Sequence, residues 1–442
     1  MKETLKKMIP APVLGAYHYA LAVAAAFAYG RPSEKLVVIG VTGTNGKSTT
    51  TEYVGRILEH AGHKVGWTGT TSFKVAGREW TNDRKMTMLG RFATQKLLAD
   101  MVAAGCEYAV IETSSQGIAQ SRHVGIDYDV AVFTNLTPEH IESHGGFDNY
   151  RHAKGRLFAA LSLGRRKGSQ KKVSVVNVDD EHADYFLSFP ADEKIGFGLS
   201  SGRTDSDVFA TNVALSSTGT TFSIGRETFS ISPIGRFNLM NALAAIAACR
   251  AVGLSWEKIK AGVASLRPVP GRLESIVAGQ PFSVIVDYAP EPAALAALYD
   301  ALDLIEHRRI IHVLGSTGGG RDVARRRILG EMAAERDGVV IVTNEDPYDD
   351  EPMGIIREVA EGAERFEGSK GRRVEGENLF LILDRQEAID KAVELAEPGD
   401  LVLLTGKGCE PVMAVANGQK VPWDDRDAAR KALAKLGYAT HR

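Results

Sequence analysis

The chain has 442 residues, 44% of them hydrophobic and 24% charged, and a formal net charge of −2. That size predicts two or three globular domains, and the near-neutral balance excludes bulk attraction to nucleic acid or to an anionic membrane. Three widely spaced cysteines, Cys106, Cys249 and Cys409, lack metal-ligand spacing and give no disulfide framework, which points to a reducing cytoplasm.

Residues 1–35 read as an apolar helical leader. Lys2, Lys6 and Lys7 precede an uncharged stretch from Val13 to Gly30 with Ala-Phe-Ala near its end. It therefore imitates a signal peptide and approaches the length of a membrane span. His18, Tyr17, Tyr19, Tyr29 and many alanines argue against a span. A helix packed on the following domain is expected, with contact to a membrane surface as the alternative.

Next comes an apolar run, Val37 to Val41, which reads as a buried strand. It turns through Thr42-Gly43-Thr44-Asn45-Gly46-Lys47-Ser48-Thr49-Thr50 into a helical pattern from Thr51 to His60. Such a turn closes backbone N–H groups around phosphate oxygens, and the helix N-terminus adds its positive end. Gly43, Thr44, Asn45, Gly46, Lys47, Ser48 and Thr49 are thus candidate ATP-binding residues. Lys47 would reach the terminal phosphates, and Ser48 would set its hydroxyl on Mg²⁺. The strict pattern has Gly at position 41, where this chain has Val41 between Gly40 and Gly43. An ordinary glycine-rich loop is the alternative, but strand, loop, Lys-Ser pair and helix in order favour a nucleotide site. Such a site so close behind the leader also argues against export.

A strand at 63–67, a polar loop at 81–90, a helix at 92–104 and a strand at 108–112 continue a parallel α/β pattern. Glu112 ends its strand where open α/β sheets hold ligands. On position alone it either holds Mg²⁺ or faces solvent. A strand at 130–133 runs into Thr134-Asn135-Leu136-Thr137-Pro138-Glu139-His140, and Tyr150-Arg151-His152-Ala153-Lys154-Gly155-Arg156-Leu157-Phe158 follows.

The ordered set of Gly-Thr-Asn-Gly-Lys-Ser, strand-ending Glu-Thr-Ser-Ser, Phe-Thr-Asn-Leu-x-x-x-His and Tyr-x-x-x-Lys-x-x-Leu-Phe resembles the Mur ligase family. Within it the pattern is most similar to the branch that adds the third residue of the peptidoglycan stem peptide. The resemblance runs from about residue 36 to the C-terminus. It implies an ATP-dependent amide ligase: a substrate carboxylate is phosphorylated, and an amine then attacks the acyl phosphate. Lys47, Glu112, His140 and Lys154 are the implied catalytic set. Ser48 and Glu112 would hold one Mg²⁺, and His140 with a carbamylated Lys154 the other. Carbamylation turns an ammonium into an anionic oxygen donor; on spacing alone Lys154 would be a plain helix-surface lysine. The resemblance also assigns Thr87, Ser114 and Arg122 to substrate, and Asn238, Arg272, Asp287 and Arg321 to the nucleotide. Departures from the family pattern are Gln116 for His, Glu139 and Glu142 for Asp, Pro290 for His, and Cys409 for His.

A hairpin is expected over 221–231 and an alanine-rich helix after Gly235, in which Asn241 could equally be a core residue. Arg267 to Arg272, with two prolines, marks a linker. The expected domains are therefore 36–267, with a mostly parallel sheet plus a small antiparallel one, and 268–442, a Rossmann-like sheet. In the latter, Asp346, Tyr348, Gly406 and Glu410 are the substrate candidates, with Glu410 implied to hold the incoming ammonium group. Tyr348 stands where relatives that take diaminopimelate carry Arg. With Asp349 and Asp350 beside it, a cationic side chain such as lysine is expected, unless those acids merely cap the next helix.

About 35 residues precede the first strand, too few for the small UDP-gripping domain that the resemblance implies, since domains seldom fall below roughly 50 residues. The expected substrates are a muropeptide-like molecule, small or lipid-linked, and an amino acid, with no nucleic acid. The sequence sets no oligomeric state. The rivals are a folylpolyglutamate-synthase-like ligase on the same core, and a non-catalytic P-loop subunit.

Overall fold

The computed structural model describes residues 10–139, 141–199, 207–320, 323–366 and 373–438. Lys2, Lys6, Lys7, His140 and Arg321 lie outside the described residues. The chain forms two compact units, Met1–Pro138 with His144–Arg267 and Glu139–Ser143 with Pro268–Arg442.

In the first unit, helix α1 (Ala11–Ala28) precedes strand β1 (Val37–Thr42) and helix α2 (Lys47–His60). Strands β2 (Val65–Thr68), β3 (Ser72–Val75) and β4 (Arg78–Thr81) follow, then α3 (Arg91–Ala103), β5 (Tyr108–Glu112), α4 (Ser115–Ala119) and β6 (Val130–Phe133). Helix α5 (Phe147–Leu163) leads to β7 (Val173–Asn177), β8 (Glu193–Gly198) and β9 (Val208–Phe209). These strands form one nine-stranded sheet in the order β4-β3-β2-β5-β1-β6-β7-β8-β9. Its β2–β3 and β3–β4 pairings are antiparallel and the rest parallel.

Strands buried on both faces need apolar residues at nearly every position, and Val-Val-Ile-Gly-Val, Ala-Val-Ile and Val-Ala-Val-Phe supply them for β1, β5 and β6. Phe133 stacks on Phe186 at 3.8 Å between ring centres, in a core that also holds Val38, Ile111, Leu157 and Phe158. The register pairs Val41 with Glu112 and Thr42 with Phe133. The C-terminal ends of β1, β5 and β6 thus lie side by side and deliver three loops to one place. Helix α1 packs in this unit through buried Ala22, Ala25 and Ala26. Ala22 and Ala26 lie so close to Gly125 that a Cβ there would come within 2.8 Å of Ala26.

A second, three-stranded antiparallel sheet comprises β10 (Thr211–Ser216), β11 (Gly219–Ile224) and β12 (Glu227–Ile231). The expected hairpin is present, enlarged by β10, whose residues are all exposed and so carry no alternation to read. Helices α6 (Arg236–Ala251) and α7 (Trp256–Ala264) complete the unit.

The second unit runs β13 (Glu274–Ser275), β14 (Ser283–Val286), α8 (Pro292–Leu302), β15 (Ile310–Leu314), α9 (Arg325–Arg336), β16 (Val339–Thr343), α10 (Pro352–Arg365), β17 (Leu379–Ile382), α11 (Arg385–Leu395) and β18 (Leu401–Leu404). A small pair, β19 (Val412–Val415) and β20 (Gln419–Pro422), precedes α12 (Asp425–Lys435). Its main sheet has the order β13-β14-β18-β15-β16-β17, parallel except for β13. The α/β class with a mostly parallel P-loop sheet, a small antiparallel sheet and a Rossmann-like C-terminal sheet is as expected.

Candidate active site

The loop between β1 and α2 is fixed by backbone that only glycine adopts freely. Gly43 and Gly46 have φ of 153° and 79°. A Cβ on Gly43 would lie 1.9 Å from Thr134 Oγ1, and one on Gly46 would lie 2.1 Å from Asn241 Oδ1. The loop after β6 braces it: Thr44 N donates to Asn135 O at 2.8 Å and Asn45 N to Asn135 Oδ1 at 2.8 Å. Thr134 Oγ1 donates to Asn45 O at 2.6 Å. Thr44 Oγ1 meets Tyr150 OH at 2.9 Å. Gly46 caps α2 without any side-chain acceptor, and no acidic residue lies in the first turn. The leading N–H groups of α2 are left for an anion, which fits ATP phosphates. Lys47 Nζ is folded back onto Thr44 O at 2.5 Å. Ser48 and Thr49 are buried in the first turn.

Glu112 is only 1% exposed, which removes the solvent-facing alternative. Ser48 Oγ donates to its Oε2 at 3.0 Å, Thr70 N to the same oxygen at 2.6 Å, and Thr70 Oγ1 to Oε1 at 3.0 Å. Two oxygen donors in contact, a hydroxyl and a carboxylate, are the kind that Mg²⁺ takes, so the pair fits the metal. Lys154, on α5, is likewise 1% exposed and not a helix-surface lysine. Its Nζ donates to Gly43 O at 2.5 Å and lies 4.4 Å from the centre of the Tyr150 ring.

The remaining candidates of this unit have structural partners. Thr87 Oγ1 meets Thr70 Oγ1 at 3.0 Å, and with the Thr70 proton on Glu112 it is Thr87 that donates, which ties it to the Glu112 network. Ser114 caps α4 by accepting from Gly117 N. Arg122 donates to Met88 O and Gln120 Oε1; burial and then neighbouring Arg91 lower its pKa. Asn238 is buried and donates to Ile234 O at 2.9 Å.

In the second unit the guanidinium of Arg272 lies 4.3 Å from the Tyr288 ring centre. Asp287 is buried and accepts from Leu273 N and Ala289 N at 2.6 and 2.8 Å. Burial raises its pKa, opposed chiefly by Arg272. Lys407 gathers the substrate candidates. Its Nζ donates to Glu410 Oε2 at 2.6 Å, to both Asp346 oxygens at 3.1 and 3.2 Å, and to Val412 O at 2.9 Å. Burial alone would lower its pKa, but Glu410 and Asp346 outweigh that and hold it raised. Tyr348 sits at φ 51° with its ring over Gly319. Asp349 accepts from Asn417 N at 2.7 Å and Asp350 from Gly319 N at 3.0 Å. Helix α10 is capped instead by Glu351.

Sequence reasoning missed Thr70, Asn135, Lys407 and Glu345. Glu345 is buried, and its Oε2 has no hydrogen-bond partner among the described residues. It lies against Gly406, where a Cβ would come within 2.4 Å of that oxygen. Burial pushes its pKa up to about 7, with Arg325 opposing and Asp346 adding. The only available signal was its place next to Asp346 in the chain.

A P-loop braced by the β6 loop, with a buried carboxylate on its serine, defines a nucleotide-handling α/β protein. Residues 41–249 match the Mur ligase middle domain, and residues 271–408 match the Mur ligase, glutamate ligase domain. The UDP-N-acetylmuramyl-tripeptide synthetase of Roseiflexus sp. (strain RS-1) is 40% identical over 97% of this chain and 85% of its own. The UDP-N-acetylmuramoyl-L-alanyl-D-glutamate--2,6-diaminopimelate ligase of Geobacillus kaustophilus (strain HTA426) is 37% identical over the same shares. A solved structure of a ligase of that second name is 29% identical, covering 91% of this chain and 79% of its own, with a TM-score of 0.60. The folylpolyglutamate synthase of Mycobacterium tuberculosis, complexed with ADP and AMPPCP, reaches a TM-score of 0.68 over 95% of each chain. At 18% identity it shares the fold alone. The chain belongs to the Mur ligase family, the ATP-dependent ligases of peptidoglycan stem-peptide synthesis.

Proposed function

We propose that this ligase joins an amino acid with a basic side chain to a muramoyl-dipeptide-like carboxylate in the cytoplasm. The observation that carries the activation half is the buried Ser48–Glu112 pair beside the uncapped N-terminus of α2. ATP phosphates lie on the N–H groups of residues 43–49, with Lys47 turning from Thr44 O to the terminal phosphate. Phosphoryl transfer to the substrate carboxylate gives an acyl phosphate; the amine attacks its carbonyl carbon, and phosphate leaves with the electron pair of the broken C–O bond. Mg²⁺ would supply charge neutralisation among the crowded phosphate oxygens; Ser48 and Glu112 would hold it, and Lys154 as its carbamate would add an anionic oxygen donor. Two features support the Lys154 reading: its burial and its contact with Gly43 O.

ADP release, measured against muramoyl-dipeptide precursors with and without UDP, tests this reading. Lys47→Ala should lower substrate-dependent release by roughly a hundredfold or more while the circular dichroism spectrum stays unchanged. Undiminished turnover would sink the assignment. In the same assay Lys154→Ala should be inactive and partly rescued by a short carboxylate; full activity without rescue would remove the carbamate.

For the amino acid, the support is Tyr348 in place of a guanidinium, together with the acidic group around Lys407. A tyrosine cannot make the bidentate pair that Arg makes with a distal carboxylate. Diaminopimelate is the second reading, favoured by the name of the Geobacillus kaustophilus relative. Competition kinetics between lysine and diaminopimelate decide it, and a clear preference for diaminopimelate would refute the first.

A further inference from the structure

Helix α1 is uncharged from Ala11 to Ala28, and among its described side chains only Ala22, Ala25 and Ala26 are fully buried. The opposite side carries Val13, Tyr17, Ala20, Ala24 and Phe27. They are spaced by four, three, four and three residues, which at 3.6 residues per turn makes one straight stripe. Ala20 and Ala24 are exposed, and Val13, Tyr17 and Phe27 are 58, 58 and 61% exposed. Single exposed apolar residues need no explanation, but an ordered stripe running the length of a helix does.

Charge indicates what covers it. Residues 1–35 contain five basic side chains, Lys2, Lys6, Lys7, Arg31 and Lys35, against two acidic ones, Glu3 and Glu34, although the whole chain is net negative. A partner helix in water would call for charged or polar residues flanking the seam. The flanks here include Ala16, Val23 and Ala28, with Tyr19 exposed further round. Tyrosines and basic flanks on an apolar helix are what the headgroup layer of an anionic bilayer accepts. We propose that α1 is an in-plane anchor whose Val13–Tyr17–Phe27 stripe lies in the headgroup–acyl boundary of an anionic membrane. No helix among the described residues is long and apolar enough to cross one, so the contact is made at the surface. It is reversible and salt-sensitive, because modest apolar area is supplemented by basic residues.

The test is co-sedimentation of the full chain with phosphatidylcholine vesicles, with and without phosphatidylglycerol. Binding should be about tenfold stronger to the anionic vesicles and should fall several-fold at high salt. Replacing both exposed aromatics, Tyr17→Glu with Phe27→Glu, should lower binding about tenfold while the thermal midpoint and substrate-dependent ADP release stay unchanged. Failure to sediment with anionic vesicles at low salt overturns the proposal, as does undiminished binding by the double variant. So does a dimer in sedimentation equilibrium that the same double variant dissociates, because a second copy would then cover the stripe.

Discussion

Glu345 shows how one buried side chain sets a pH dependence. Its pKa is raised to about 7, whereas an unfolded glutamate titrates near about 4.3. Between those values the native state holds more protons than the unfolded chain, so this group's contribution to stability falls as pH rises through the window and stays low above it. Glu345→Gln removes that dependence. The variant should match the parent near about pH 4, below the unfolded value, and gain up to about 3 kcal/mol at pH 8, read as a rise in thermal midpoint at pH 8 alone. Equal loss at both pH values would mean that the carboxylate is needed for packing. At this scale the sequence was informative where a residue's neighbours are local. Lys47 and Ser48 could be read from their loop, whereas the strand end left Glu112 open between metal and solvent. The partners that fix them could not, because Thr70 reaches Glu112 across 42 residues and Asn135 reaches Asn45 across 90. No local period encodes such pairs. Lys154 was legible only through the motif around it, since a helix lysine carries no sign of burial.

At the scale of elements, continuous apolar runs were the readable ones. The strands at 108–112 and 130–133 have the expected limits, because burial on both faces demands apolar residues throughout. Strands β3, β4, β8, β9, β10, β13, β17, β19 and β20 were missed: β4, β10 and β20 are largely exposed, β9 and β13 have two residues each, and β17 is outermost and half-buried. The join between β1 and α2 is sensitive to change. Gly46→Ala would force a Cβ to 2.1 Å from Asn241 Oδ1 and hold alanine at φ 79°. It should cost roughly 1–3 kcal/mol and weaken ATP binding more than amino-acid binding, both measurable by calorimetric titration. Unchanged ATP affinity would mean that the loop tolerates a shift of Asn241.

For the whole molecule, the order of strands has a consequence for how the chain survives its own folding. Largely parallel sheets depend on contacts distant in sequence and assemble slowly, leaving unpaired backbone open to other chains. Both large sheets here end in blunt margins. The nine-stranded sheet closes with four-residue β4, which carries Arg78 and Glu79, and two-residue β9; the six-stranded one closes with two-residue β13, which begins at Glu274, and four-residue β17. Short or charged rims give a neighbouring chain little to zip onto. A protein that must spend a long time half-assembled is thereby protected against cross-β aggregation while it does so.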